Sequence, residues 1–128
     1  MTAENLIRVV LVDDHFQIHR IVQEILTATE DIRLVGQGAN GQEGIELCEH
    51  YEPNIVLMDV VMPGMNGFQA TRALTKDAET SSIPIIIVTT KDQETDRVWG
   101  LRQGAKDYIS KPVMAEELIS KIRTILGG

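Results

Sequence analysis

Four places along the chain carry the residue types of metal-assisted phosphoryl chemistry: Asp13–Asp14, Asp59, Thr89–Thr90 and Lys111. Each stands at or just past the end of a short apolar run. Three carboxylates brought together repel one another, and some must take up protons unless a cation joins them. A hard divalent ion resolves the conflict, because Mg2+ prefers oxygen ligands, retains several waters and is commonly held by one or two carboxylates plus a phosphate. With Lys111 on the opposite side, positive charge flanks Asp59 twice, an arrangement suited to stabilising a phosphoryl group in transit. Taken singly, each residue has an ordinary explanation: Asp caps helices, Thr favours strands and Lys is usually a solvated charge. The chemistry therefore depends on whether one fold edge gathers them.

The apolar runs predict such an edge. "IRVVLV" (7–12), "NIVLMD" (54–59) and "IPIIIVTT" (83–90) are nearly continuous, as expected of parallel strands covered on both faces. "RLVGQGA" (33–39) and "DYIS" (107–110) are weaker strand candidates that bring the count to five. Ile18, Ile21, Val22, Ile25 and Leu26 follow the spacing of one helix face, as do Leu118, Ile119, Ile122, Ile125 and Leu126. Segments 41–52, 67–77 and 93–103 complete the helices, with Asn66 and Asp92 as N-caps and Gly104 as a stop. Strands alternating with helices of this length imply an α/β fold: a doubly wound, five-stranded parallel sheet with helices on both faces. In such sheets the ligand site lies beyond the C-terminal ends of the strands, where strand order reverses. Asp13, Asp14, Asp59, Thr89 and Lys111 all map there.

The bulk properties limit the rest. At 128 residues and 43% hydrophobic, the chain fits one domain with one core, 1–128 with its core at about 6–126. Asp13 and Asp14 interrupt the N-terminal apolar stretch, which argues against a secretory signal, and no run approaches the ~20 apolar residues of a membrane span. The expectation is a soluble, cytoplasmic protein without membrane insertion. Net charge −7 makes direct nucleic-acid binding a poor fit, since phosphate backbones demand clustered Lys and Arg. The lone Cys48 forms no internal disulfide and reads as a small core residue.

"LVDDH" after the first strand, "VLMDVVMPGMNG" around the third, "PIIIVTT" for the fourth and "DYISKP" for the fifth together resemble the receiver domains of two-component response regulators. The resemblance spans roughly residues 6 to 126. It implies that Asp59 is the phosphoacceptor and that Asp13 and Asp14 hold Mg2+, with the backbone carbonyl of Val61 completing the protein ligands. It also makes Thr89 the hydroxyl drawn towards the phosphoryl group, Lys111 the amine on its oxygens and Tyr108 the aromatic switch. The Lys111–Pro112 bond is expected to be cis. The implied donor is a sensor histidine kinase or phosphotransfer protein. The implied output face is the fourth helix, fifth strand and last helix, with room for a weak dimer. Val61 and Lys91 occupy positions that tune phosphoryl lifetime, and an apolar Val61 predicts slow self-dephosphorylation.

The resemblance divides along the chain. The first half looks like the receivers of two-domain regulators carrying a DNA-binding helix-turn-helix. The second, from "GFQATRALTKDAET" onward, looks like single-domain receivers of pilus-driven twitching motility. The second half holds the output face and therefore weighs more, whereas a chain that is a fragment of something longer would favour transcription. A phosphatase of the haloacid dehalogenase type would need an Asp-x-Asp pattern at the first strand, where this chain reads "VDDH". A flavin module would need a glycine- and hydroxyl-rich loop there, and Asp13 and Asp14 would repel its phosphate. His15 is expected at the start of the first helix and His19 and His50 on helical surfaces, none of them as ligands. Trp99 is expected to be at least partly buried, with partner contact as the alternative.

Overall fold

The computed structural model describes residues 6–127, so the ends of the expected domain, 1–5 and 128, lie outside the described residues. Five strands alternate with five helices: β1 Ile7–Val12, α1 Phe16–Thr27, β2 Ile32–Gly38, α2 Gly41–Tyr51, β3 Ile55–Met58, α3 Gly67–Lys76, β4 Ile85–Thr89, α4 Glu94–Arg102, β5 Asp107–Ser110 and α5 Ala115–Ile125. All strand pairs are parallel, in the order β2-β1-β3-β4-β5. The chain leaves β1 for β2 on one side and reaches β3 on the other. The order thus reverses between β1 and β3, and the crevice lies beyond Val12 and Met58.

The continuous apolar runs follow from burial on both sheet faces. Val9, Leu11, Leu57, Ile86, Val88 and Ile109 turn to one face, against Val22 and Leu26 of α1 and Leu118 and Ile122 of α5. Val10, Val12, Val56, Met58 and Ile85 turn to the other, against Cys48 of α2 and Ala70 and Leu74 of α3. Successive strand residues alternate faces, and each face meets a helix layer, so β3, β4 up to Thr89 and β1 from Val9 onward are apolar throughout, while the edge strands β2 and β5 keep polar residues such as Gln37 and Ser110. Cys48 is fully buried as expected, and burial pushes its thiol up to about 12, which removes it from thiolate chemistry.

The predicted bounds shift for physical reasons. β4 begins at Ile85 because Pro84 has no amide to donate to the ladder, although its carbonyl still accepts from the Val56 amide at 3.0 Å. β3 ends at Met58, one residue before Asp59, whose amide still donates to the Val12 carbonyl at 2.9 Å. Asn66 caps α3 as predicted: its side chain accepts from the Gln69 amide at 2.9 Å, and the Gln69 side chain accepts from the Asn66 amide at 2.9 Å. At α4 the expected cap Asp92 gives way to Gln93, whose amide donates to the Asp96 carboxylate at 3.3 Å. Among the described residues no helix is long and apolar enough to cross a membrane.

Candidate functional site

The ends of β1, β3 and β5 bring the predicted carboxylates and the lysine into one cluster. Asp13 follows β1 directly, and Asp59 follows β3. Both are buried, at 1% and 2% exposure. Lys111 comes one residue after β5 with its side chain 9% exposed. Its Nζ donates to Asp13 Oδ2 at 2.7 Å and lies 3.5 Å from Asp59 Oδ2. The Lys111–Pro112 peptide is cis, as expected. Asp14 stands at the mouth with its side chain 31% exposed. The answer to why a buried strand should finish on a carboxylate is local: the Val60 amide donates to Asp59 Oδ1 at 2.8 Å, and Lys111 faces the other oxygen.

Two carboxylates and one ammonium do not neutralise each other, and the electrostatics record it. Burial holds the Asp59 carboxyl above its ordinary range and the charge of Asp13 adds to this, while a hydrogen bond from Thr89, Lys111 and the Val60 amide oppose it. Thr89 closes β4 fully buried, and its hydroxyl also accepts from the Lys91 amide at 3.4 Å. One donor atom from each of Asp13, Asp14, His15 and Asp59 lies within 4.8 Å of every other. Ligands on opposite sides of a hard divalent ion stand about 4.2 Å apart at bonds of about 2.1 Å, so the outermost donors of the cluster must draw in slightly to hold such an ion. Val61 lies in the following loop and is exposed.

Tyr108, in the middle of β5, is 2% exposed and points inward. Its hydroxyl donates to the Lys91 carbonyl, and the Arg97 guanidinium stands 5.2 Å from its ring centre. Burial, with Asp96 adding, pushes the phenol up to about 12, so it serves as a hydroxyl donor. α4 packs onto this tyrosine through Gly100, where a Cβ would meet Ile87 at 2.8 Å and Tyr108 at 3.2 Å. Trp99 beside it is only half-buried, at 50% exposure, and Val98 and Leu101 are exposed as well. The expected partial burial holds for half the indole, and the remainder lies on the outer face of α4.

Three features were missed in the sequence. His19 bridges the end of β1 and a neighbour: its Nε2 stands 2.6 Å from the Asp13 carbonyl and its Nδ1 2.8 Å from Gln37 Oε1. The signal available was its place in the first turn of α1, directly above the acidic pair. His15 occupies the N-cap position of α1 as expected, but its ring makes no cap bond and turns instead to Asp13 and Asp14, with Nδ1 3.2 Å from an oxygen of each. Gly67 opens α3 so close to Asp59 that a Cβ would overlap the Asp59 carbonyl oxygen, and its amide donates to the Val60 carbonyl at 2.9 Å.

Comparison with known proteins agrees with this geometry. A family model described as the response regulator receiver domain matches residues 9–123. Protein PilH of Pseudomonas aeruginosa is 65% identical over 89 residues, covering 70% of this chain and 74% of that protein. The nitrate/nitrite response regulator protein NarL of Escherichia coli is 32% identical over 120 residues, 94% of this chain, which spans only 55% of that relative's length. Among solved structures, the receiver domain of the sensor histidine kinase PA1611 from Pseudomonas aeruginosa PAO1 superposes with a TM-score of 0.85 at 25% identity. The alignment covers 96% of this chain and 99% of that one, whose structure has a magnesium ion coordinated in its active-site cleft. This chain belongs to the response regulator receiver family of two-component signalling, whose domains are regulatory phosphoacceptors rather than turnover enzymes.

Proposed function

We propose that Asp59 is the phosphoacceptor and that its partner in transfer is a phosphohistidine on a sensor histidine kinase or phosphotransfer protein. The carrying observation is Asp59 itself: a buried carboxylate with its charge disfavoured, one oxygen 3.5 Å from Lys111 and Asp13 close by. An Asp59 oxygen forms the bond to phosphorus as the donor's nitrogen–phosphorus bond breaks, and the electron pair leaves with the imidazole. Asp13, Asp14 and Asp59, with the backbone carbonyl of Val61, would hold Mg2+, which when bound supplies positive charge for the phosphoryl oxygens. Lys111 serves the same oxygens from the opposite side.

The consequence is a population shift. Roughly two added charges beside Thr89 draw its hydroxyl, and Tyr108, seated between Lys91 and Arg97, couples that movement to α4. The output face is then α4, β5 and α5, where Val98, Trp99 and Leu101 are already exposed. The likeness of the second half to twitching-motility receivers and the 65% identity to PilH support a motility output over a transcriptional one. We read residues 1–128 as one receiver domain working in the cytoplasm, where a kinase would meet it.

The test is label transfer from a purified phosphohistidine donor, followed as uptake and then as decay. Lys111→Ala should slow uptake by about a hundredfold or more, and Val61→Asn should hasten decay by easing placement of a hydrolytic water. Uptake by Lys111→Ala at the wild-type rate would overturn the assignment of the amine. Unchanged decay in Val61→Asn would overturn that of the loop.

A further inference from the structure

Tyr108 is held in three ways. Val60, Ile87 and Ala105, with Phe68 against them, form the apolar pocket around its ring. Its hydroxyl donates to the Lys91 carbonyl, and the Lys91 amide donates to the Thr89 hydroxyl at 3.4 Å, so one residue of backbone joins the tyrosine to the threonine that hydrogen-bonds to Asp59. The third hold comes from α4. The Arg97 guanidinium stands 5.2 Å from the ring centre, and its Nη2 donates to Ser110 Oγ at 2.9 Å. Tyr108 and Ser110 are two apart on β5, so their side chains leave the same face of the strand, and Arg97 spans both. A guanidinium can attract an aromatic ring and still donate through its planar fork, which an ammonium on a flexible stem does poorly. Removing Arg97 would release this hold and leave the pocket and the loop in place.

We propose that Arg97 is a positioning residue for phosphorylation of Asp59: anchored on Ser110, it seats Tyr108 inward and makes the stance of α4 part of that seat. The inference rests on the phosphoacceptor reading above. A group bound at Asp59 that favours the inward ring must, by reciprocity, be favoured by whatever else holds the ring there. Arg97 reaches Tyr108 and Ser110 from the α4 side of β5, so its influence on Asp59 passes through the tyrosine and the Lys91 backbone.

The test uses the full chain carrying 3-fluorotyrosine, read by fluorine NMR. The sequence holds two tyrosines, and Tyr51→Phe leaves the Tyr108 signal alone. The change of that signal between H2O and D2O reports how far the ring meets solvent. Without ligand, the wild type should give a shielded, inward signal. Arg97→Ala should raise the ratio of outward to inward ring roughly tenfold, and Arg97→Lys should fall between. Arg102→Ala, which removes the same charge from the exposed end of α4, should leave the ratio unchanged. Beryllofluoride with Mg2+, a mimic of the bound phosphoryl group, should bind Arg97→Ala more weakly in proportion to the inward fraction lost, and at saturation should restore the inward signal. A Tyr108 signal unmoved in Arg97→Ala would overturn the seat, and Arg97→Lys decides the matter should the alanine variant fail to fold. A signal that moves while beryllofluoride affinity stays at the wild-type value would overturn the positioning role. Failure of the wild type to bind beryllofluoride, or equal binding by Asp59→Asn, would instead overturn the phosphoacceptor reading, and the ligand-free spectra would still decide whether Arg97 seats the ring.

Discussion

Asp59 sits where burial and Asp13 both disfavour its charge, and that conflict makes a prediction about the metal-free protein. With the folded carboxyl raised above its ordinary value, the folded state holds the proton more tightly than the unfolded chain does. The stability linked to this group is fully present below the ordinary carboxylate range and is lost as pH rises through the raised value. Asp59→Asn removes the loss. In a chelating buffer its melting temperature at neutral pH should exceed that of the wild type by a few degrees, roughly 2–6 °C, and the two should converge in acid. Thermal melts across pH measure the difference, in which distant carboxylates cancel. A lower melting temperature for the variant at neutral pH would contradict the account. Asp13, Asp14, Asp59 and Lys111 were legible in the sequence because a charge at the end of an apolar run is conspicuous. His19 was not, because it lies on α1 while its partner Gln37 lies on β2, and only the fold joins them.

At the scale of elements, the loop from β3 to α3 is held by an absence of side chain. Gly67 needs no left-handed backbone, and what excludes a Cβ is the Asp59 carbonyl and the Val60 Cα, 2.9 Å from where that Cβ would lie. Gly67→Ala must push α3 away from Asp59, the proposed phosphoacceptor, and should cost about 3 kcal/mol, read as a fall in the urea midpoint at unchanged slope. A loss below about 1 kcal/mol would show that the loop yields freely. β1, β3 and β4 were readable because both sheet faces are covered there and their runs are nearly unbroken, whereas the edge strands β2 and β5 gave weaker signals. α4 was harder to read, since Val98, Trp99 and Leu101 are apolar yet exposed, while the residue that meets β4 and β5 is Gly100. Apolar periodicity looks for large inward residues, and here close approach requires the smallest one. The cap of α4 moves by one residue, from Asp92 to Gln93, where the Asp96 carboxylate accepts from the Gln93 amide.

For the whole molecule, topology does what no local pattern can. Residues 13, 59 and 111 are far apart in the chain, and the β2-β1-β3-β4-β5 order brings their side chains within hydrogen-bond or ion-pair distance at one sheet edge. The alternation of strands and helices made that edge predictable, and the motif order made its chemistry specific. The orientation of the His15 ring and the inward seat of Tyr108 belong to packing and were not written in either. A chain of net charge −7 that sets Asp13 and Asp59 against one lysine, with Asp14 beside them, has an acidic cluster that a cation would relieve. The most direct test is intact-mass spectrometry after incubation with a small-molecule phosphodonor, with and without Mg2+, on the wild type and on Asp59→Asn. The wild type should gain a single phosphoryl adduct that requires the cation and is absent from the variant. An adduct of equal yield on Asp59→Asn, or none on the wild type with Mg2+ present, would contradict it.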